Sequence, residues 1–241
     1  MRTIIALIWL VLFVIAAIPA MIYMVIVHKK DPWKAEKTAR AWISCFFRVL
    51  VKIAGTDITV KGLENVPADQ AVVYIGNHRS YFDIILTYTL CKNTTCYIAK
   101  ADLRNIPLFG LWGDMMMCLF FDQSDMKASV KMILDGIARL KQGISIFIFP
   151  EGKRNKEPGL LPLNEFKDGS FKLASKTGCP VIPVALKKID DIWEAHSPWL
   201  KKTSVTLCYG PPVYFNDLED EQKKHPGEHF RQVITSMLEQ M

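Results

Sequence analysis

Hydrophobic and polar positions divide the chain into three regimes. No charged residue occurs from Ile4 to Val27; cations then recur in a helical rhythm as far as Ala54; from Gly55 onward short apolar runs alternate with turns. The first regime is 24 residues long, and at about 1.5 Å rise per residue such a helix is long enough to cross the roughly 30 Å hydrocarbon layer of a bilayer. Pro19 interrupts the run, so a bent or re-entrant helical pair is an alternative to a single span. A secretory signal peptide competes, with Arg2 ahead of the apolar run and small residues near Ala17 to Ala20. The run continues through Val27, past such a cut, and a retained anchor fits better.

In the second regime Arg40, Ser44, Arg48 and Lys52 fall at every fourth position, and Trp42, Ile43, Phe46, Phe47, Val49, Leu50 and Ile53 fill the spaces. This is a narrow basic stripe on a broad apolar helix. It fits the plane of a membrane, with cations toward lipid phosphates and aromatics among the acyl chains, although a helix buried in the domain carries the same signature. The third regime predicts strands at Asp57 to Lys61, Ala71 to Ile75, Cys96 to Lys100, Met116 to Phe121, Ile144 to Phe149, Val181 to Leu186 and Ser204 to Tyr209. Helices are predicted at Phe82 to Leu90, Ser124 to Gln142, Asp168 to Thr177 and Gly227 to Met241. Near-continuous apolar strands alternating with helices make an α/β fold: a mostly parallel or mixed sheet of about seven strands covered by helices and preceded by a membrane-associated helical segment. The expected organisation is an anchor with an interfacial helix over residues 1–54 and an α/β domain over residues 55–241.

Composition sharpens this picture. Half of the 241 residues are hydrophobic, and the surplus over a domain core sits in the amino-terminal run. The net charge of +6 is concentrated as well: positions 29–61 hold eight Lys/Arg against three acids, which reads as attachment to a membrane surface. Nucleic acid is the weaker partner, since no zinc-finger or RNA-binding signature accompanies the cations. Only Arg2 precedes the apolar run while Lys29, Lys30, Lys34, Lys37 and Arg40 follow it, so the positive-inside tendency directs the main domain to the cytoplasm. Cys45, Cys91, Cys96, Cys118, Cys179 and Cys208 lack metal-ligand spacing and sit mostly in apolar runs, as reduced core thiols do. His28, His196, His225 and His229 share no ligand spacing either, and no metal site is expected.

Two strand ends carry the candidate chemistry. The apolar run Ala71 to Ile75 leads into Gly76-Asn77-His78-Arg79-Ser80-Tyr81-Phe82-Asp83, which leaves an imidazole and a carboxylate at the start of a helix, within reach of one proton. Histidine accepts protons near neutral pH, and a neighbouring carboxylate fixes its tautomer; a surface pair without function is the plainer reading. The second strand end is Phe149-Pro150-Glu151-Gly152-Lys153-Arg154-Asn155, where Pro stops the strand and Gly lets the backbone turn. Arg154 can grip a phosphate through two donors and Glu151 can accept from hydroxyls; a solvated loop is the alternative.

Together these motifs resemble the lysophospholipid and glycerophosphate acyltransferases, the family of 1-acylglycerol-3-phosphate acyltransferases. The family's His-x4-Asp is matched by His78 and Asp83, its Phe-Pro-Glu-Gly by Phe149 to Gly152, its Phe-Lys-x-Gly by Phe166 to Gly169, and its Val-Ile-Pro-Val strand by Val181 to Val184. The resemblance covers about Gly55 to Tyr209. A further motif departs: Met117-Cys118-Leu119-Phe120-Phe121-Asp122-Gln123 lacks the family's Gly and ends in Gln where an Arg is usual, which removes a cation expected on the acceptor phosphate. The resemblance implies acyl transfer from acyl-CoA or acyl-carrier protein, as substrate and without a cofactor, to the hydroxyl of a membrane lipid acceptor. His78 would be the base and Asp83 its orienting acid. Arg154, Lys100 and Lys153 would hold the phosphate, with Glu151 and Gly152 completing the acceptor site. Backbone amides after His78 are candidates for the oxyanion. Leu103, Ile106, Leu108, Phe109, Leu111 and Trp112 are candidates for an acyl slot, or plain core. A different lysophospholipid or aminolipid acceptor, and a non-catalytic membrane scaffold, are the alternatives. Oligomeric state is left open.

Overall fold

The computed structural model describes residues 1–106, 108–122 and 126–241, with Met126 described by its backbone alone. Gln123, where the motif departs, Pro107, between the acyl-slot candidates Ile106 and Leu108, and Ser124, the expected start of a helix, lie outside the described residues.

The first 54 residues form a helical hairpin. Helix α1 (Arg2–His28) runs through Pro19 as one continuous helix and does not break into a re-entrant pair there. Asp31 caps helix α2 (Pro32–Ala54) by accepting from Lys34 N at 3.0 Å, and Gly55 ends it at φ 72°. The two helices pack antiparallel, with Trp9 stacked on Phe46 and the rings of Phe13 and Phe46 4.4 Å apart. Ala6, Phe13, Ala17, Met21 and Met24 form the only buried stripe on α1, leaving the outward Ile, Leu and Val side chains exposed.

The apolar face of α2 is not open to lipid, as the sequence pattern predicts, because α1 and the body already cover it. Trp42 meets Phe13, Phe47 meets Tyr88, and Ile43, Val51 and Ala54 join the core. Arg40 also leaves the predicted stripe: it turns inward to Glu36 Oε1 at 2.9 Å and to the Asn93 carbonyl at 3.2 Å. The exposed stripe is instead Lys34, Lys37, Ala41, Cys45, Arg48 and Lys52, basic at both ends and small in the middle.

After the hairpin come β1 (Asp57–Lys61), β2 (Val73–Gly76), α3 (Phe82–Leu90), β3 (Thr95–Lys100), α4 (Phe109–Met115), β4 (Leu119–Phe121), α5 (Met126–Lys141) and β5 (Ser145–Ile148). Then follow α6 (Lys172–Thr177), β6 (Val181–Lys187), β7 (Ser204–Tyr209), α7 (Asp220–Lys224) and α8 (Pro226–Glu239). The strands pair in the order β1-β7-β6-β2-β5-β3-β4, parallel except between β6 and β7. The sheet is therefore mixed and α/β. Alternate residues feed two cores: Tyr74, Phe147 and Ile182 face the hairpin and α3, while Val73, Ile75, Ile146 and Ile148 face α5, α6 and α8. All six cysteines are free.

Because β2, β3, β5 and β6 run parallel, their carboxyl ends share one edge, the usual place for a ligand crevice in an open α/β sheet. The residues assigned to an acyl slot do not converge on one. Ile106, Leu108 and Phe109 are exposed, whereas Leu111 and Trp112 pack on the cluster around Met21 and Met24.

Candidate active site

Strand β2 stops pairing through its backbone at Gly76, and a side chain continues the ladder. The buried Asn77 amide donates to the Leu186 carbonyl at 2.9 Å and accepts from Leu186 N at 2.8 Å, mimicking a strand residue while the main chain turns away. His78 is then held from both sides by the loop after β5. Its N–H donates to Glu151 Oε1 at 2.6 Å, and its carbonyl accepts from Asn155 N at 2.7 Å.

The ring of His78 stacks on Phe149 at 4.2 Å and joins Asp83 Oδ2 through Nδ1 at 2.8 Å. Asp83 is 1 % exposed, and the same oxygen accepts from the amides of Arg79 and Ser80, both at 2.7 Å. Three donors on one carboxylate oxygen fix the proton on Nδ1 and leave Nε2 as the basic nitrogen. Histidine and acid thus meet as the sequence predicts.

Two other expectations change. The amides after His78 are not available to an oxyanion. Arg79 and Ser80 give theirs to Asp83, Tyr81 to Glu194, Phe82 to the Ser80 hydroxyl and Asp83 to the Ser80 carbonyl. Glu151 is likewise not aimed at a substrate hydroxyl. It is 3 % exposed, its two oxygens are occupied by the amides of His78 and Asn164, and burial raises its pKa from the ordinary value of 4.5. It fastens the backbone of the histidine.

A family model described as Acyltransferase matches residues 57–187, the span that contains this dyad. The chain belongs to the acyltransferase family. It is 33% identical over 180 residues to a 1-acyl-sn-glycerol-3-phosphate acyltransferase of Cocos nucifera, covering 74% of this chain and 56% of that one. It is 38% identical over 180 residues to a chloroplastic enzyme of the same description from Brassica napus, covering 73% and 49%. The chain thus spans about half the length of these curated relatives. A Borreliella burgdorferi protein of that description is 28% identical over 193 residues, covering 80% and 76%. The crystal structure of the 1-acyl-sn-glycerophosphate (LPA) acyltransferase PlsC from Thermotoga maritima superposes with a TM-score of 0.76 at 24% identity over 100% of this chain and 99% of that one, which shows a common fold.

In this acyltransferase-family chain the cations gather unevenly. Gly152 turns the loop at φ 70°, in the left-handed region where glycine is unstrained. Arg154 follows, its guanidinium 3.7 Å over the Tyr81 ring and 3.2 Å from Glu194 Oε1. It therefore stands beside the histidine loop. Lys153 is exposed next to it. Lys100, also exposed, ends β3 at the same edge, two strands from β2 and so about 10 Å aside at ordinary strand spacing.

Sequence reasoning missed two carboxylates on the segment after β6. Asp190 binds Arg79 Nε at 2.9 Å, and Glu194 accepts from the Ser80 hydroxyl at 2.6 Å and Tyr81 N at 2.8 Å. The acidic cluster Asp190, Asp191 and Glu194 following Lys187 and Lys188 was the available signal.

Proposed function

We propose that this chain transfers a fatty acyl group from an acyl-CoA or acyl-carrier-protein thioester to the free hydroxyl of 1-acylglycerol 3-phosphate, giving phosphatidate. The observation that carries the reading is the His78–Asp83 contact at 2.8 Å next to Arg154. The relatives described as 1-acyl-sn-glycerol-3-phosphate acyltransferases support the choice of acceptor. Nε2 of His78 takes the hydroxyl proton as the acceptor oxygen attacks the thioester carbonyl. The ester C–O bond forms, the C–S bond breaks, and the thiol leaves with the proton held by His78, so no acyl-enzyme is needed. Arg154, with Lys153 and Lys100, binds the phosphate. Gly152 and Glu151 set the loop and the histidine. The donor is a substrate, and the mechanism calls on no cofactor.

An acceptor of this kind is a membrane lipid, and α1 supplies the apolar surface that meets it. The helix is long and apolar enough to cross a membrane by length and composition. Its inner stripe, however, is bound along its length to α2, which is bound to the body. A span would have to carry the body with it. We therefore read α1 as lying in one leaflet, with the exposed cations of α2 toward lipid phosphates and the body on the cytoplasmic side, where nothing requires translocation.

Two experiments test this. Vesicle sedimentation of Ile15→Asp, an outward residue 60% exposed, should show at least tenfold weaker lipid binding than wild type, because an apolar contact becomes a buried charge. Equal binding would remove α1 from the interface. Mass-spectrometric product analysis with a lysolipid panel and both donor types should give phosphatidate, with the Michaelis constant for the acceptor rising with ionic strength. Acylation confined to a lysophospholipid diester or an aminolipid would reassign the acceptor, and no transfer to any acceptor would leave the scaffold reading.

A further inference from the structure

The segment after β6 grips the histidine loop at three consecutive residues, and one of its carboxylates does something the grip alone does not require. Asp190 holds Arg79, while Glu194 holds both the hydroxyl of Ser80, through Oε2, and the amide of Tyr81, through Oε1. Those two bonds satisfy Glu194 as a structural tie. Yet Oε1 also meets Arg154 Nη1 at 3.2 Å, with the two side chains 24% and 20% exposed. Arg154, the cation stacked on Tyr81 beside the catalytic loop, is thus held by an internal anion, at the rim of the crevice rather than in the core.

We propose that Glu194 sets headgroup specificity by competing with the acceptor phosphate for Arg154, so that only a phosphomonoester displaces it. This rests on the acceptor reading given above and adds a residue and a selection rule to it. The carboxylate carries one negative charge and is tethered to its site by Ser80 and Tyr81, which gives it a high effective concentration at the guanidinium. A phosphodiester headgroup also carries one negative charge and must be recruited from the membrane, so it gains nothing by the exchange. A phosphomonoester carries between −1.5 and −2 near pH 7 and offers three acceptor oxygens, enough to take over the guanidinium. Glu194 keeps Ser80 and Tyr81 throughout, and the histidine loop does not move. Arg154 stays stacked on Tyr81 and changes partner within its own plane.

The test is E194Q, which is isosteric and removes only the charge. The Gln oxygen still accepts from Tyr81 N, and the Ser80 hydroxyl can turn to accept from the new amide. Kinetics are read for 1-acylglycerol 3-phosphate and for a lysophospholipid whose phosphate is a diester, beside wild type, R154Q and E194Q/R154Q. Loss of a competing partly exposed charge should lower the Michaelis constant for the phosphomonoester by about fivefold with kcat within about twofold, and the diester, now free to reach Arg154, should improve as well. In the R154Q background the change should vanish. A Michaelis constant unchanged or raised in folded E194Q, or a fall that persists without Arg154, overturns the proposal while wild-type turnover leaves the acyltransferase reading standing. A wild type that does not acylate 1-acylglycerol 3-phosphate overturns both. Should E194Q lose its fold by circular dichroism, E194D, which withdraws the same charge by one methylene, carries the same expectation at smaller size.

Discussion

Replacing His78 by Ala is expected to lower kcat for acyl transfer by about 10² to 10⁴, the usual contribution of a positioned general base. The acceptor Michaelis constant should stay near wild type, because the proposed phosphate contacts are made by Arg154, Lys153 and Lys100 and not by the imidazole. The fold should survive. The imidazole is 15% exposed and its backbone bonds to Glu151 and Asn155 do not depend on the ring. Asp83 keeps the amides of Arg79 and Ser80, so it is not left without partners. Single-turnover assays beside thermal unfolding check this. Activity within threefold of wild type in a folded H78A protein would end the base assignment.

The second large effect is expected at Glu151, where the damage runs through structure to rate. Glu151→Ala leaves the part-buried amides of His78 and Asn164 without their acceptor. A fully buried unsatisfied group costs about 1 to 3 kcal/mol, and two part-buried ones should together cost about 1 to 3 kcal/mol of stability by denaturant titration. In the fraction that remains folded, the strand end carrying His78 is free to shift, and a displacement near 1 Å lowers kcat by about 10²-fold. Glu151→Gln keeps one acceptor oxygen and should fall between the two. If Glu151 instead bound a substrate hydroxyl, alanine would raise the Michaelis constant and spare stability. The two roles therefore separate in one pair of measurements.

Parts of this site were readable from the chain alone because they are local. His78 and Asp83 are joined by a single strand-to-helix turn, so their meeting needs no knowledge of long-range packing. The apolar strands were equally plain, since β2 and β5 are buried on both faces and admit no polar alternation. Glu194 belongs to a 3₁₀ turn more than 110 residues from Ser80 in sequence, and only the closing of the sheet joins them. Helix α4 escaped notice because it contains Gly110 and Gly113, poor helix formers. A Cβ at Gly113 would come within 2.5 Å of the Phe120 ring, so tight packing selects the residue against its propensity. In α2 the stripe of cations was right in kind and wrong in membership at Arg40. An apolar face looks the same in sequence whether lipid or another helix is to cover it.

The hairpin shares one continuous apolar interior with the sheet, from Phe13 through Ile43 to Tyr74 and Phe147. Whatever solvates the outer side of α1 is therefore thermodynamically linked to the folding of the whole chain: a bilayer that binds only the native state would act as a stabilising ligand for the candidate active site some distance away. On the proposed placement of α1 in a bilayer, heat resistance becomes partly a property of that membrane and shifts with lipid supply.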